Sequence, residues 1–159
     1  MNSPTGLDVP TEDGAIKIGY ISHEVQTAEG TIDPERLDIL GFDKNDHSLI
    51  AFEIKGPSCG ETQFANLLLQ GLEHRNWIED NKMSVKLIKE GIRGKNISTR
   101  KRVRLILGFC DERSPDLLQK YANIFLKYNN MLKRKDPHFH VDFVNMKLID
   151  GKLKLHKAI

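Results

Sequence analysis

The chain predicts an α/β fold, a central mixed β-sheet flanked by helices on both faces. Three observations carry this. Apolar runs of strand length recur at residues 36–42, 49–55, 104–110 and 139–148. Stretches with apolar residues at helical spacing separate the later runs. The first two runs are apolar on both sides, with Leu40, Phe42, Leu49 and Ala51 on one face and Leu37, Ile39, Ile50, Phe52 and Ile54 on the other. Such a sheet must be covered twice, and helices are the expected cover.

Each element follows in order. Residues 1–14 are polar, lack the apolar stretch of a signal peptide and read as a loose leader. Residues 15–159 read as one domain. Residues 15–26 are mixed and extended in part, around Ile16-Lys17-Ile18-Gly19-Tyr20-Ile21. The runs 36–42 and 49–55 form a hairpin about Asp43-Lys44-Asn45-Asp46-His47-Ser48. Gly56-Pro57-Ser58-Cys59-Gly60 breaks the chain. A helix follows from about Glu61 to Asp80, on a stripe of Phe64, Leu67 or Leu68, Gly71 or Leu72, Arg75 and Ile78. Residues 104–110 are a continuous apolar strand. Ser114-Pro115-Asp116 starts a second helix, with Ser at the N-cap and Pro at the first helical position. That helix runs to about Asn130. Residues 139–148 form a strand, and Asp150-Gly151 turns into a short last one at 153–156.

Composition excludes several classes. At 159 residues the chain can bury a real core, and 39% hydrophobic with 29% charged residues is an ordinary soluble balance. No apolar run approaches a membrane span, so no membrane partner is expected. The two cysteines, Cys59 and Cys110, form no motif, which points to a reducing, cytoplasmic compartment. No Walker loop, GxGxxG or zinc-type cysteine set is present.

The chemistry sits on the hairpin. Folded about Asn45-Asp46, Phe42 meets Leu49, Leu40 meets Ala51, and Asp38 meets Glu53. Strand alternation then puts Asp38, Glu53 and Lys55 on one face. Two opposed carboxylates repel by about 0.2–1 kcal/mol in an exposed sheet, and a divalent cation between them reverses the sign. Two acids and a lysine about a cation are the equipment for metal-assisted phosphodiester hydrolysis. The acid-x-lysine triplet alone is unspecific, since Asp80/Lys82 and Asp150/Lys152 repeat it. The plain alternative is an ion pair of Glu53 with Lys55 or Arg36 at the rim of the sheet.

A net charge of +2 does not mark a nucleic-acid binder, but its distribution is uneven. Residues 86–104 carry Lys86, Lys89, Arg93, Lys95, Arg100, Lys101, Arg102 and Arg104 against one acid, Glu90. A basic loop beside a carboxylate site suits a phosphate backbone, and Lys95, Arg100, Lys101 and Arg102 are the expected DNA contacts. The alternative is a solvated surface loop. Lys133-Arg134-Lys135 complements a helix C-terminus.

With these elements placed, the chain resembles the PD-(D/E)XK, or restriction-endonuclease-like, nuclease superfamily. The matching residues are Asp38 in Arg-Leu-Asp-Ile-Leu and the block Phe-Glu-Ile-Lys-Gly with Glu53 and Lys55, followed by a helix. The segment His23-Glu24-Val25-Gln26-Thr27 is similar to the approach to the active-site hairpin in RecB-like and NucS-like branches. Those branches add a glutamine on the next helix and an aromatic four residues later; here Gln70 matches and His74 stands where tyrosine is usual. The resemblance implies a restriction-endonuclease-like core and a DNA nuclease using Mg²⁺ or Mn²⁺. It implies that Asp38 and Glu53 hold the metal with the backbone carbonyl of Ile54, and that Glu24 is an outer or second-metal acid. Asp33 is the alternative first acid. Lys55 would orient the attacking water and stabilise the developing charge, and Gln70 would position water or phosphate. A homodimer or a place in a larger assembly fits such an enzyme. The rival reading keeps the fold as a catalytically inactive nucleic-acid- or protein-binding module.

Three weaker constellations remain. His138 and His140 share a strand face without a third ligand. Gln63, Gln70, His74 and Trp77 line one helical flank, which is either site-facing or a half-buried edge. Cys59 has no assignable histidine.

Overall fold

The computed structural model describes residues 7–11, 14–27, 35–56, 60–82, 97–110, 115–139, 141–150 and 152–157. The elements are β1 (Leu7–Thr11), β2 (Gly14–Gln26), β3 (Arg36–Asp43), β4 (Leu49–Lys55), α1 (Glu61–Ala65), α2 (Leu67–Asn81), β5 (Arg104–Cys110), α3 (Pro115–Lys135), β6 (Val141–Ile149) and β7 (Lys152–Lys157). The strands form one seven-stranded sheet in chain order. Pairing is antiparallel from β1 to β4, parallel from β4 through β5 to β6, and antiparallel again at β7.

The sheet is mixed, but helices do not flank both of its faces; this corrects the expected architecture. The sheet curls until β1 comes against β6 and β7, a nearly closed barrel-like form. Phe64, Leu67, Leu68 and Ile78 of the first two helices and Phe125 of α3 share one core with Leu49, Ala51, Leu105, Leu107 and Phe143. The opposite core is Val9, Ile16, Ile18, Ile50, Phe52, Ile106 and Val144, strand residues throughout. The apolar second face was read correctly, and its cover was misassigned: the curled sheet covers it with its own strands. Chain order explains this. β4, β5 and β6 are added in one direction, and crossovers of a single hand then drop their helices on one side. Helices on both faces need a reversal in the strand order, which this sheet lacks.

The stretch read as a loose leader contains β1, which pairs with β2 and fully buries Val9. The single helix expected from Glu61 is broken at Asn66 into α1 and α2.

Helix α2 buries Leu67, Leu68, Gly71, His74, Arg75 and Ile78 along one stripe. It lies very close to the sheet at Gly71, where a Cβ would stand 2.5 Å from Leu107 Cδ2 and 3.2 Å from Leu105 Cδ1. Arg75 is buried on that stripe and donates from Nε to the Val103 carbonyl at 2.9 Å, which satisfies a charge that burial would otherwise penalise. No helix among the described residues is long and apolar enough to cross a membrane.

Candidate active site

The β3–β4 ladder pairs Phe42 with Leu49, Gly41 with Ile50, Leu40 with Ala51 and Ile39 with Phe52, and then stops. At the next step Asp38 Oδ2 accepts the Ile54 N–H at 2.6 Å. A side chain thus takes the amide that a continuing ladder would have given to the backbone of β3. Leu37 packs in the helix-side core whereas Ile39 packs against the opposite one, so alternation along β3 breaks at Asp38. The two strands fork where the two acids stand.

Glu53 is 1% exposed and follows Leu49 and Ala51 on the helix side of β4. Helix α2 supplies its neighbours. His74 Nδ1 lies 3.0 Å from Glu53 Oε2, and Lys55 Nζ lies 2.6 Å from Gln70 Oε1 and 3.4 Å from Glu53 Oε1. The match of these contacts is geometric. Four helical residues rise about 6 Å and two strand residues about 6.6 Å. Gln70 and His74 on α2 therefore meet Lys55 and Glu53 on β4 in step, with the helix running against the strand.

Burial pushes the Asp38 carboxyl above the ordinary carboxylate value. The Ile54 N–H works against that, the Glu53 charge adds to it, and Lys55 and His74 oppose it more weakly. The acids are thus close enough to feel each other, and Lys55 does not cancel their repulsion at Asp38. The Glu53–Lys55 ion pair exists, with Glu53 buried and Lys55 half-buried at the end of β4, and Arg36 pairs with Glu24 instead.

Glu24 is not brought into this group. In the β2–β3 register it falls level with Asp38, between His23↔Ile39 and Val25↔Leu37. Its backbone is left-handed at φ 47°, which costs a non-glycine residue about 1–2 kcal/mol. Its exposed carboxylate pairs with Arg36 Nη1 at 3.3 Å. The Ile54 backbone adjoins Asp38 through its N–H. Asp33, Cys59, Lys95 and His140 lie outside the described residues.

Among the described residues, the basic ones of this run are not beside the carboxylates. In the β4–β5 register Arg104 stands opposite Ile50 while Phe109 stands opposite Lys55, so the two ends of the sheet are about 17 Å apart. Arg100, Lys101 and Arg102 precede β5 at the far end. With Asp46, Arg104 and His138 they line a cleft of about 440 Å³. Carboxylates already hold most of this charge. Lys101 pairs with Asp46 at 3.3 Å, Arg102 with Glu79 at 3.6 Å and Asp136 at 3.5 Å, and Arg104 with Asp43 and Asp142.

The helical flank divides in use. Gln70 and His74 face the acids, Trp77 packs against the helix-side core, and Gln63 accepts the Gly60 N–H as a cap. Sequence reasoning places His74 where tyrosine is usual and on the flank with Gln63, Gln70 and Trp77, but does not pair it with Glu53. The signal for His74 was spacing, four residues beyond Gln70 on the helix after the hairpin. Among the described residues no group of three or more His, Cys, Asp or Glu is placed to hold a metal ion. No family model, curated protein or solved structure matches the chain.

Proposed function

We propose that the protein hydrolyses phosphodiester bonds in DNA with Mg²⁺ or Mn²⁺ at Asp38 and Glu53. The observation that carries this is the buried Glu53 carboxylate beside Asp38 at the strand fork, with Lys55 and Gln70 on the same cluster. The likeness to PD-(D/E)XK nucleases supports the reading through these residues and not through the architecture.

The donor set fits a hard divalent cation. Two carboxylates and the Ile54 carbonyl are oxygen ligands, and Mg²⁺ keeps several waters, so it does not require three acidic side chains. Uncompensated charge at Asp38 is what such an ion relieves. When bound, it supplies charge stabilisation at phosphorus and a more acidic water. The chain's own residues do the rest. Lys55, released from Gln70 or Glu53, places a positive charge against the oxygens that become more negative as water adds to phosphorus. Gln70 holds the Lys55 ammonium on the site side of β4. In the step water loses a proton as its oxygen bonds to phosphorus, the P–O ester bond breaks, and the departing oxygen takes up a proton.

One observation favours a binding module without turnover. Lys55 is already engaged by both Gln70 and Glu53, a set that is closed without any ion. Incubation with linear, circular and single-stranded DNA, with Mg²⁺, Mn²⁺ or EDTA, separates the two. Metal-dependent strand breaks that vanish in Glu53→Gln support hydrolysis. Binding in EDTA with no breaks in either metal supports the module.

A further inference from the structure

We infer that His74 is the positioning residue for Glu53. It fixes which carboxylate oxygen is spent inside the protein and which is left for the cation. This rests on the metal-site reading above and deepens it.

The two oxygens of Glu53 are engaged differently. Oε2 lies 3.0 Å from His74 Nδ1, whereas among the described residues Oε1 meets the Lys55 ammonium alone, at 3.4 Å. Glu53 and His74 are both 1% exposed, so neither group can exchange its partner for water. An ionised carboxylate buried to this degree costs several kcal/mol unless its oxygens find donors. His74 is the neutral-capable donor that meets this need without claiming Oε1. A second lysine there would have neutralised the carboxylate and weakened it as a ligand.

The imidazole is itself held. It projects from the buried stripe of α2 one turn after Gln70, with Gly71 seating that turn on β5. Its Nε2 is buried and has no hydrogen-bond partner among the described residues, and Glu35 Oε2 lies 3.8 Å away. Glu35 is anchored through its backbone, since the Thr27 N–H and hydroxyl both donate to its carbonyl, at 3.0 and 3.2 Å. Glu53, His74 and Glu35 thus form a row from the interior of β4 to the surface before β3. Glu35 stands on the side of the ring that Glu53 does not use.

Calorimetric titration of the full chain with MnCl₂ alone, without DNA, tests this. Two amide substitutions carry the discrimination. His74→Asn places its NH₂ near the position of Nδ1, and His74→Gln places it near Nε2. Loss of a hydrogen-bond partner behind a metal ligand weakens metal affinity about 10–100-fold. His74→Gln and His74→Ala should show that loss, and His74→Asn should recover to within about threefold of wild type. A role in packing alone would favour the longer glutamine, so Gln at or above Asn overturns the inference, as does wild-type affinity in His74→Ala. If His74→Ala fails to fold, the comparison of Asn with Gln decides alone. No Mn²⁺ binding by the wild-type chain removes the metal-site reading itself. Binding by wild type, lost in Glu53→Gln and unchanged in all three His74 variants, removes only the inference.

Discussion

Asp38 accepts the amide proton of Ile54 at 2.6 Å, one step beyond the last backbone pair of β3 and β4. The carboxylate thereby serves the fold while its charge works against it, because burial pushes its pKa up. Between the ordinary value of 3.8 and the raised folded value, the folded protein binds more protons than the unfolded chain. Stability attributable to Asp38 therefore falls as pH rises through that window and stays lower at neutrality. Asp38→Asn keeps an oxygen for Ile54 and removes the charge. Without metal at pH 7 it should melt higher than wild type, by up to about 3 °C, and the gap should close at acid pH. Mg²⁺ should raise the wild-type melting point and leave the variant unmoved. A variant that melts lower at pH 7 would show the charge to be favourable.

Glu53→Gln and Lys55→Ala should each lower the rate of metal-dependent DNA cleavage about 10²-fold or more. The first removes ligand charge while keeping the carboxamide against His74. The second removes a cation that matters most as charge builds on phosphorus. Metal affinity should fall in the first and change little in the second. Gel-based cleavage with purified variants reads the rate, and wild-type rates in either would end the assignment.

The far end of the sheet makes a separable demand. Arg100 is exposed and has no ion pair among the described residues, whereas Lys101 and Arg102 are held by Asp46, Glu79 and Asp136. If this end touches duplex DNA, Arg100→Ala should make the slope of log affinity against log salt shallower by about 0.9. Arg102→Ala should change that slope less, because its charge is already shared with two carboxylates. An unchanged slope for Arg100→Ala would leave the DNA to be held elsewhere, with Lys133, Arg134 and Lys135 next to examine.

Val9→Ala should destabilise the fold by about 1–3 kcal/mol, seen as a lower urea midpoint. Val9 is fully buried in the strand-only core, on the strand that draws the sheet toward closure. An unchanged midpoint would mean that β1 contributes nothing to that core.

The local half of this structure was legible and the global half was not. Alternation and a six-residue turn put Phe42 on Leu49 and Leu40 on Ala51, the pairs observed. Residues 104–110 were read as the strand they form, and Pro115 starts α3 as its capping pattern indicates. β1 escaped because Asp8 and Pro10 flank Val9, which leaves no clear apolar alternation in five residues. Closure escaped because an apolar face records only that it is covered. Ile50, Phe52 and Ile106 would look the same under a helix or under Val9 and Ile16. Register, a property of two adjacent strands, sets Asp38 opposite Glu53 in the sequence reading; the observed ladder ends one step earlier, at Ile39 and Phe52, and Asp38 takes the Ile54 N–H. His74 needed the seat of α2 on β4, which lies in tertiary packing. Arg100, Lys101 and Arg102 were misplaced for the same reason, since nearness in sequence to β5 says nothing of which end of β5 faces the acids.

Gly71 sits between the two α2 residues that reach the acids and their lysine, and its bare Cα rests on Leu107 and Leu105. A single methyl there would have to lift the helix or displace Leu107. Lifting it lengthens both the Gln70–Lys55 and the His74–Glu53 contacts at once, and such constellations tolerate only about 0.5 Å. The working gap of this site is therefore gauged by a residue with no chemistry of its own. An alanine at 71, harmless on any helix surface, would act here as a shim, detuning two polar contacts together while leaving every polar group in the chain.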